Sequence, residues 1–199
     1  MEHASHVAAV SYTIANYLGL NTELTNAIAI GHDIGHAPFG HEGEKRLNEL
    51  LENNIEDDFW HEKNGLYVCD KIATLPDPKG FAKNLNLTYA TRDGIISHCG
   101  EINENNLFPR KEAIDLYKIT EKNQFNPFTW EACVVKISDK ISYVGRDIED
   151  ALELRLLGTK KLLKLRSIIQ EHCEIQSMNN TAFMHELILD LCKNSSPKD

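Results

Sequence analysis

The chain has 199 residues, a net charge of −9, 42% hydrophobic and 26% charged residues. That is one domain's worth of globular sequence, long enough to bury its own core. The acidic balance argues against nucleic acid as the main ligand, no apolar run reaches the roughly 20 residues of a membrane span, and MEHASHVAAV lacks the regions of a signal peptide. Helical periodicity then dominates. Val7, Val10, Ile14, Ala15 and Leu18 recur at helical spacing from His3 to Leu18, and Gly19 ends that segment. Thr22 is expected to cap a second helix, with Thr25 to Ile34 running through Ala27, Ile28, Ala29 and Ile30. The stretch Gly35 to Gly40, with Pro38 inside it, breaks that helix. His41–Leu51 and Trp60–Leu75 read as the next two helices, and Pro76 to Gly80 as a loop. Thr88–His98 is another helix, and Glu101 to Pro109 is polar and irregular. Thr129–Leu157 is the longest periodic segment, with Trp130, Val134, Ile137, Ile141, Val144, Ile148 and Leu152 on one stripe before Gly158. Two more helices are expected near Lys160–Cys173 and Thr181–Cys192. No strand pattern stands out. The expectation is one all-α helical bundle over residues 1–193 with a polar tail at 194–199.

The five cysteines, Cys69, Cys99, Cys133, Cys173 and Cys192, are scattered and never form a C-x-x-C pair. Reduced thiols and a cytoplasmic location are expected. Histidine is the unusual residue. Seven of nine fall in the first half: His3, His6, His32, His36, His41, His61 and His98. His32 and Asp33 end an otherwise apolar helix, where a carboxylate is unfavourable unless a positive group compensates it. Asp139 lies inside the long apolar helix, and His3 begins the first one. An isolated His-Asp pair usually only caps a helix. Two His and two Asp from three helices make a candidate metal site in a bundle, with positions open for water and substrate. Imidazole beside carboxylate suits Mn, Fe, Ni or Zn, and Mg less well.

The order H…HD…D, with the run HDIGHAPFGHEGE, resembles the HD-domain metal-dependent phosphohydrolases. Four more segments are similar to the deoxynucleoside triphosphate triphosphohydrolase (dGTPase-like) subgroup: EHASHVA, WHEKNGLYV, LNLTYATRDGIISH and SDKISYVGRDIEDAL. Together they span most of residues 2–152. The resemblance implies an HD-domain bundle with a metal in its core, held by His3, His32, Asp33 and Asp139. It implies His41 and Glu44 as a catalytic pair, one helical turn apart. His36 joins them on the phosphate and water side, with His61 as a substrate contact. Lys140 would meet phosphate, and Tyr143 and Asp147 the deoxyribose. His98 ends the LNLT segment and reads equally well as a structural residue.

The implied reaction is hydrolysis of a dNTP such as dGTP to deoxynucleoside and triphosphate, with Mg accompanying the substrate and a homo-oligomeric assembly. A nucleoside 5′-monophosphatase shares the same core motif, and a non-catalytic nucleotide-binding HD module or subunit is the third reading. In the family an arginine two residues before the position of Glu2 meets the triphosphate, and a preceding segment helps to recognise the sugar. The chain begins at Met1-Glu2-His3, so that segment and much of the usual C-terminal part are expected to be missing. Weak triphosphate hydrolysis is therefore expected of the chain as given.

Overall fold

A computed structural model describes residues 2–52, 58–100, 106–172 and 179–196. Eight α-helices lie among them: α1 Glu2–Leu18, α2 Thr22–Gly31, α3 Gly40–Glu52, α4 His61–Tyr67, α5 Tyr89–Ser97, α6 Trp130–Glu153, α7 Thr159–His172 and α8 Asn180–Asn194. The expected all-α class holds. The last helix, α8, ends at Asn194. Residues 101–105 of the expected irregular stretch, Cys173 and residues 197–199 lie outside the described residues.

The central element is α6. Its 24 residues make a rod about 36 Å long. Thr129 starts it by accepting a hydrogen bond from the backbone N–H of Ala132. The first half of α6 is buried almost all round, because α1, α2, α5 and α8 pack on it. Val7, Ala8, Ile28, Ala29, Ala132 and Val135 fill the α1–α2–α6 junction. Small residues there let three helices approach closely. Val10, Ile14, Val134, Ile141 and Cys192 fill the junction with α8. A third cluster, Trp60, Leu66, Ile96, Leu116 and Ile119, seats α4 and the following loop on α5.

Three local departures from the expected elements have physical causes. Asn21, not Thr22, caps α2, its side-chain oxygen accepting from Glu23 and Leu24 N–H at 3.1 Å each. Asn ranks at the top of N-cap residues, and its amide oxygen reaches both orphan donors. The helix expected from Trp60 to Leu75 stops at Tyr67 and widens into a π-type turn over Val68–Ile72. Asp70 on that turn is claimed by Arg92 and by the Tyr117 hydroxyl. Thr74–Pro76 (β1) then pairs antiparallel with Ala82–Asn84 (β2) across the Pro-Gly turn. All six residues are exposed, so no hydrophobic alternation marked them as strands.

Gly35 fixes how the histidine-rich turn meets α4. A Cβ at Gly35 would lie 2.1 Å from both the backbone N of Gly65 and the carbonyl O of His61. Only a bare backbone permits that approach. It brings the turn after α2 onto the start of α4.

Candidate metal centre

Four side chains from three helices converge. α1 presents His3 in its first turn, α6 presents Asp139 at mid-length, and α2 ends so that His32 and Asp33 follow its last residue, Gly31. The His32 ring donates from Nδ1 to the Ala29 carbonyl at 2.7 Å, which directs Nε2 toward the carboxylates. Nε2 of His32 lies 3.2 Å from Asp33 Oδ2 and 3.7 Å from Asp139 Oδ1. His3 Nε2 sits 2.9 Å from Asp139 Oδ1 and 3.6 Å from Asp33 Oδ2. His32 Nε2 is fully buried, and among the described residues it faces these carboxylates without a hydrogen bond of good geometry. A buried lone ring nitrogen facing two carboxylates and a second imidazole is a donor set that fits one divalent cation. The carbonyl behind His32 is the usual second partner of a ligating imidazole.

The same cluster is strongly polarised. Burial opposes charging His32, but the facing Asp139 and Asp33 carboxylates override it and lift its pKa to about 10. Burial also opposes ionising Asp33, and His32 overrides that, bringing it down to about 2. Asp139 is driven well below the usual carboxylate range, against its burial, by His3 and His32. Each shift links to stability. The raised His32 contributes fully below its ordinary 6.5 and loses its contribution as pH rises through about 10. The depressed Asp33 contributes above its ordinary 3.8 and loses its contribution as pH falls through about 2.

Near pH 7, therefore, His32 carries a proton that a cation must displace. Metal uptake is expected to release about one proton per chain, and affinity to rise with pH as His32 is deprotonated. Calorimetric titration in buffers of different ionisation enthalpy counts that proton. Uptake without proton release would contradict this account of His32.

A histidine layer borders the cluster. The turn after α2 contains Phe39 at φ 67° and Gly40 at φ 60°, a reversal that sends the chain back into α3. The His36 ring stacks on His61 at 4.0 Å between centroids, and its Nε2 lies 3.5 Å from Asp33 Oδ1. His41 is exposed and meets both rings edge-on, at 5.2 Å from His36 and 5.7 Å from His61. Burial, with the neighbouring His61 ring, lowers the His36 pKa below the usual imidazole value.

The structure pairs Glu44 differently from expectation. Glu44 accepts from His61 Nδ1 at 2.9 Å and from the His61 backbone N–H at 3.2 Å. Its other oxygen accepts from Lys122. It makes no contact of this kind with His41. Both residues lie on α3, but the Glu44 side chain turns inward to the start of α4 while His41 is exposed. Burial would raise the Glu44 pKa; Lys122 and His61 together lower it.

Sequence reasoning left out Lys122, Cys99, Glu62 and Lys136. Lys122 arrives on the loop between α5 and α6. That loop is anchored by Arg110, which pairs with buried Asp93, and by the Phe128 N–H donating to Asp93 at 2.7 Å. Cys99 lies beside His61 and His98. Lys136 is fully buried, and its ammonium donates to the Cys99 carbonyl and to Asn123 Oδ1 at 2.8 Å. Lys136 precedes Asp139 by one turn, so it ties the end of α5 to the helix that carries Asp139. A lysine amid Val134, Val135 and Ile137 was the available signal. His98, open between two readings, is buried and close to the cluster, with Nε2 3.8 Å from Asp33 Oδ1.

Lys140, Tyr143 and Asp147 follow Asp139 along α6. Tyr143 and Asp147 share its face, about 6 and 12 Å further along the axis. Lys140 is half-buried, Tyr143 is 40% exposed and Asp147 is exposed. They lie further along α6, beyond the cluster.

Comparison with known proteins agrees with this arrangement. A family model described as HD domain matches residues 1–144. A deoxyguanosinetriphosphate triphosphohydrolase-like protein of Clostridium tetani is 41% identical over 164 residues, which is 82% of this chain and 39% of the relative. One so named from Caldanaerobacter subterraneus is 38% identical over the same shares. Another, from Rickettsia bellii, is 33% identical over 96% of this chain and 51% of its own length. The chain thus spans about half or less of the length of these relatives. Among the described residues no helix is long and apolar enough to cross a membrane. The matched region runs from the helix carrying His3 through the one carrying Asp139, so all four converging side chains lie inside it, and the chain belongs to the HD domain family.

Proposed function

We propose that this chain is the metal-binding part of a phosphohydrolase that cleaves a dNTP, such as dGTP, to deoxynucleoside and triphosphate. The observation that carries the reading is the convergence of His3, His32, Asp33 and Asp139 beside a layer of three further imidazoles. The names of the relatives support the substrate class. His3, His32, Asp33 and Asp139 would hold the cation, of the Mn, Fe, Ni or Zn kind. A divalent cation there supplies Lewis acidity toward a phosphoryl oxygen and activates water.

The chain's own residues do the rest. His36, next to Asp33, accepts the proton of the attacking water. His41, exposed at the edge of the same layer, donates a proton to the departing 5′ oxygen. Water oxygen bonds to the α-phosphorus as the bond from phosphorus to O5′ breaks, so the products are a deoxynucleoside and tripolyphosphate. His61 is held in one orientation by Glu44 and supports His36 by stacking. Lys122 and Lys140 offer positive charge to the phosphates, with Mg on the substrate adding more. Tyr143 and Asp147 lie where a sugar would extend along α6. Residues 1–193 act as one HD unit in this reading, working in the cytoplasm as a homo-oligomer.

The test is product identification. The metal-loaded protein is incubated with dNTPs, NTPs and dNMPs, and the phosphorus products are resolved. Tripolyphosphate from dNTPs is the expected result. Orthophosphate from dNMPs alone would favour the monophosphatase reading, and binding without turnover the non-catalytic one.

A further inference from the structure

The loop between α5 and α6 carries two neighbouring residues that reach two different buried partners. Its residues 120–124 close on themselves: the Thr120 N–H donates to Gln124 Oε1 at 2.9 Å, and the Gln124 N–H to the Glu121 carbonyl at 3.3 Å. At the tip of this turn Lys122 donates to Glu44 Oε1, and Asn123 Oδ1 accepts from Lys136 at 2.8 Å. Asn123 has φ 57°, a left-handed conformation that asparagine tolerates. It also rests directly on Gly100, where a Cβ would lie 2.2 Å from the Asn123 Cβ. The turn is thereby seated on the residues that follow α5.

Lys136 is the costly part of that seat. It is 0% exposed, and burial pushes its pKa down. An ammonium carries three donors, and three oxygens meet it: the Ser97 carbonyl at 3.4 Å, the Cys99 carbonyl and Asn123 Oδ1. Two of these belong to the end of α5 and the residues after it; the third comes from the loop alone. An apolar side chain would fill the α5–α6 junction without the cost of a buried charge, but it could not hold Asn123.

Glu44 connects the turn to the histidine layer. Its Oε1 is taken by Lys122, while Oε2 accepts from His61 Nδ1, and the His61 ring stacks on His36. We propose that Lys136 is a positioning residue that acts through Asn123, latching the turn so that the Lys122 ammonium stands at Glu44 on the edge of the histidine layer, where phosphate charge would arrive. This inference rests on the phosphohydrolase reading of the site. Lys136 would meet no substrate atom; its effect passes through Asn123 to Lys122.

The test reads Lys122 directly. Acylation of the Lys122 amine is followed by mass spectrometry in the parent and in variants, a measurement that needs no turnover. Burial opposes the charge on Lys122, and Glu44 overrides it and keeps the amine protonated, so release from Glu44 speeds acylation. Asn123→Gly accepts the left-handed backbone and removes only the side chain; Asn123→Asp keeps the accepting oxygen; Lys136→Met keeps the volume and removes the charge. Severalfold faster acylation of Lys122 is expected in Asn123→Gly and Lys136→Met, and a rate like the parent's in Asn123→Asp. If Asn123 served only the backbone turn, the glycine variant would match the parent. With dGTP and the metal-loaded chain, Asn123→Gly and Lys122→Met are each expected to lower kcat/KM roughly ten- to a hundredfold, the worth of one charge-assisted contact, and the double variant no further. Unchanged Lys122 acylation in Asn123→Gly, equal acceleration in Asn123→Asp, or additive losses in kcat/KM would overturn the proposal. A parent that turns over no dNTP would contradict the phosphohydrolase reading instead, and the acylation rates would then decide the latch by themselves.

Discussion

Asp139→Asn and His32→Ala are each expected to weaken divalent-metal binding at the first cluster by well over the 10–100-fold that loss of an outer partner produces. Asp139 Oδ1 lies 2.9 Å from His3 Nε2 and 3.7 Å from His32 Nε2, so its charge is central to the donor set. Asparagine keeps the shape and removes that charge. His32→Ala removes the buried ring nitrogen that faces both carboxylates. Metal analysis after dialysis against a weak chelator measures the effect. His6→Ala, on the same helix as His3, serves as the control and is expected to leave metal content unchanged. Variants that hold metal as tightly as the parent would show that the four residues are only an ion-pair network.

The second large effect concerns the histidine layer. His41→Ala is expected to lower turnover by roughly a hundredfold or more while leaving the metal in place, the usual worth of a positioned proton donor. Glu44→Gln is expected to act through a different ring. Its carboxylate holds His61, so Glu44→Gln and His61→Ala should be far from additive, whereas Glu44→Gln and His41→Ala should combine nearly additively. Double-mutant cycles on kcat/KM distinguish the pairs. Strong coupling of Glu44 to His41 would restore the pairing that the sequence spacing suggested and contradict the geometry.

The contrast between these pairs shows what the sequence could express. Helix positions followed from apolar spacing and from Gly19, Pro38 and Gly158. The convergence of His3, His32, Asp33 and Asp139 was legible because each is a polar residue on or beside an apolar helix face, an arrangement that local propensity disfavours. Glu44 was harder. Its neighbour in sequence is His41, and nothing in a helical repeat says that its carboxylate turns inward to the start of α4. That contact depends on Gly35, whose bare backbone lets the turn after α2 rest on α4. Lys122 and Cys99 were invisible for a similar reason. Each reaches its partners through a loop whose path is set by long-range contacts, Arg110 with Asp93 and Lys136 with the Cys99 carbonyl. The β1–β2 hairpin was missed because its exposed residues carry no burial pattern.

The central claim is that this site hydrolyses a dNTP at the α-phosphorus. The most direct measurement is turnover of dGTP in ¹⁸O-labelled water by the metal-loaded chain, followed by mass analysis of both products. The account predicts unlabelled deoxyguanosine together with tripolyphosphate carrying the ¹⁸O, and loss of both with Asp139→Asn. Label in the deoxyguanosine, release of orthophosphate or pyrophosphate in place of tripolyphosphate, or no metal-dependent product would contradict it.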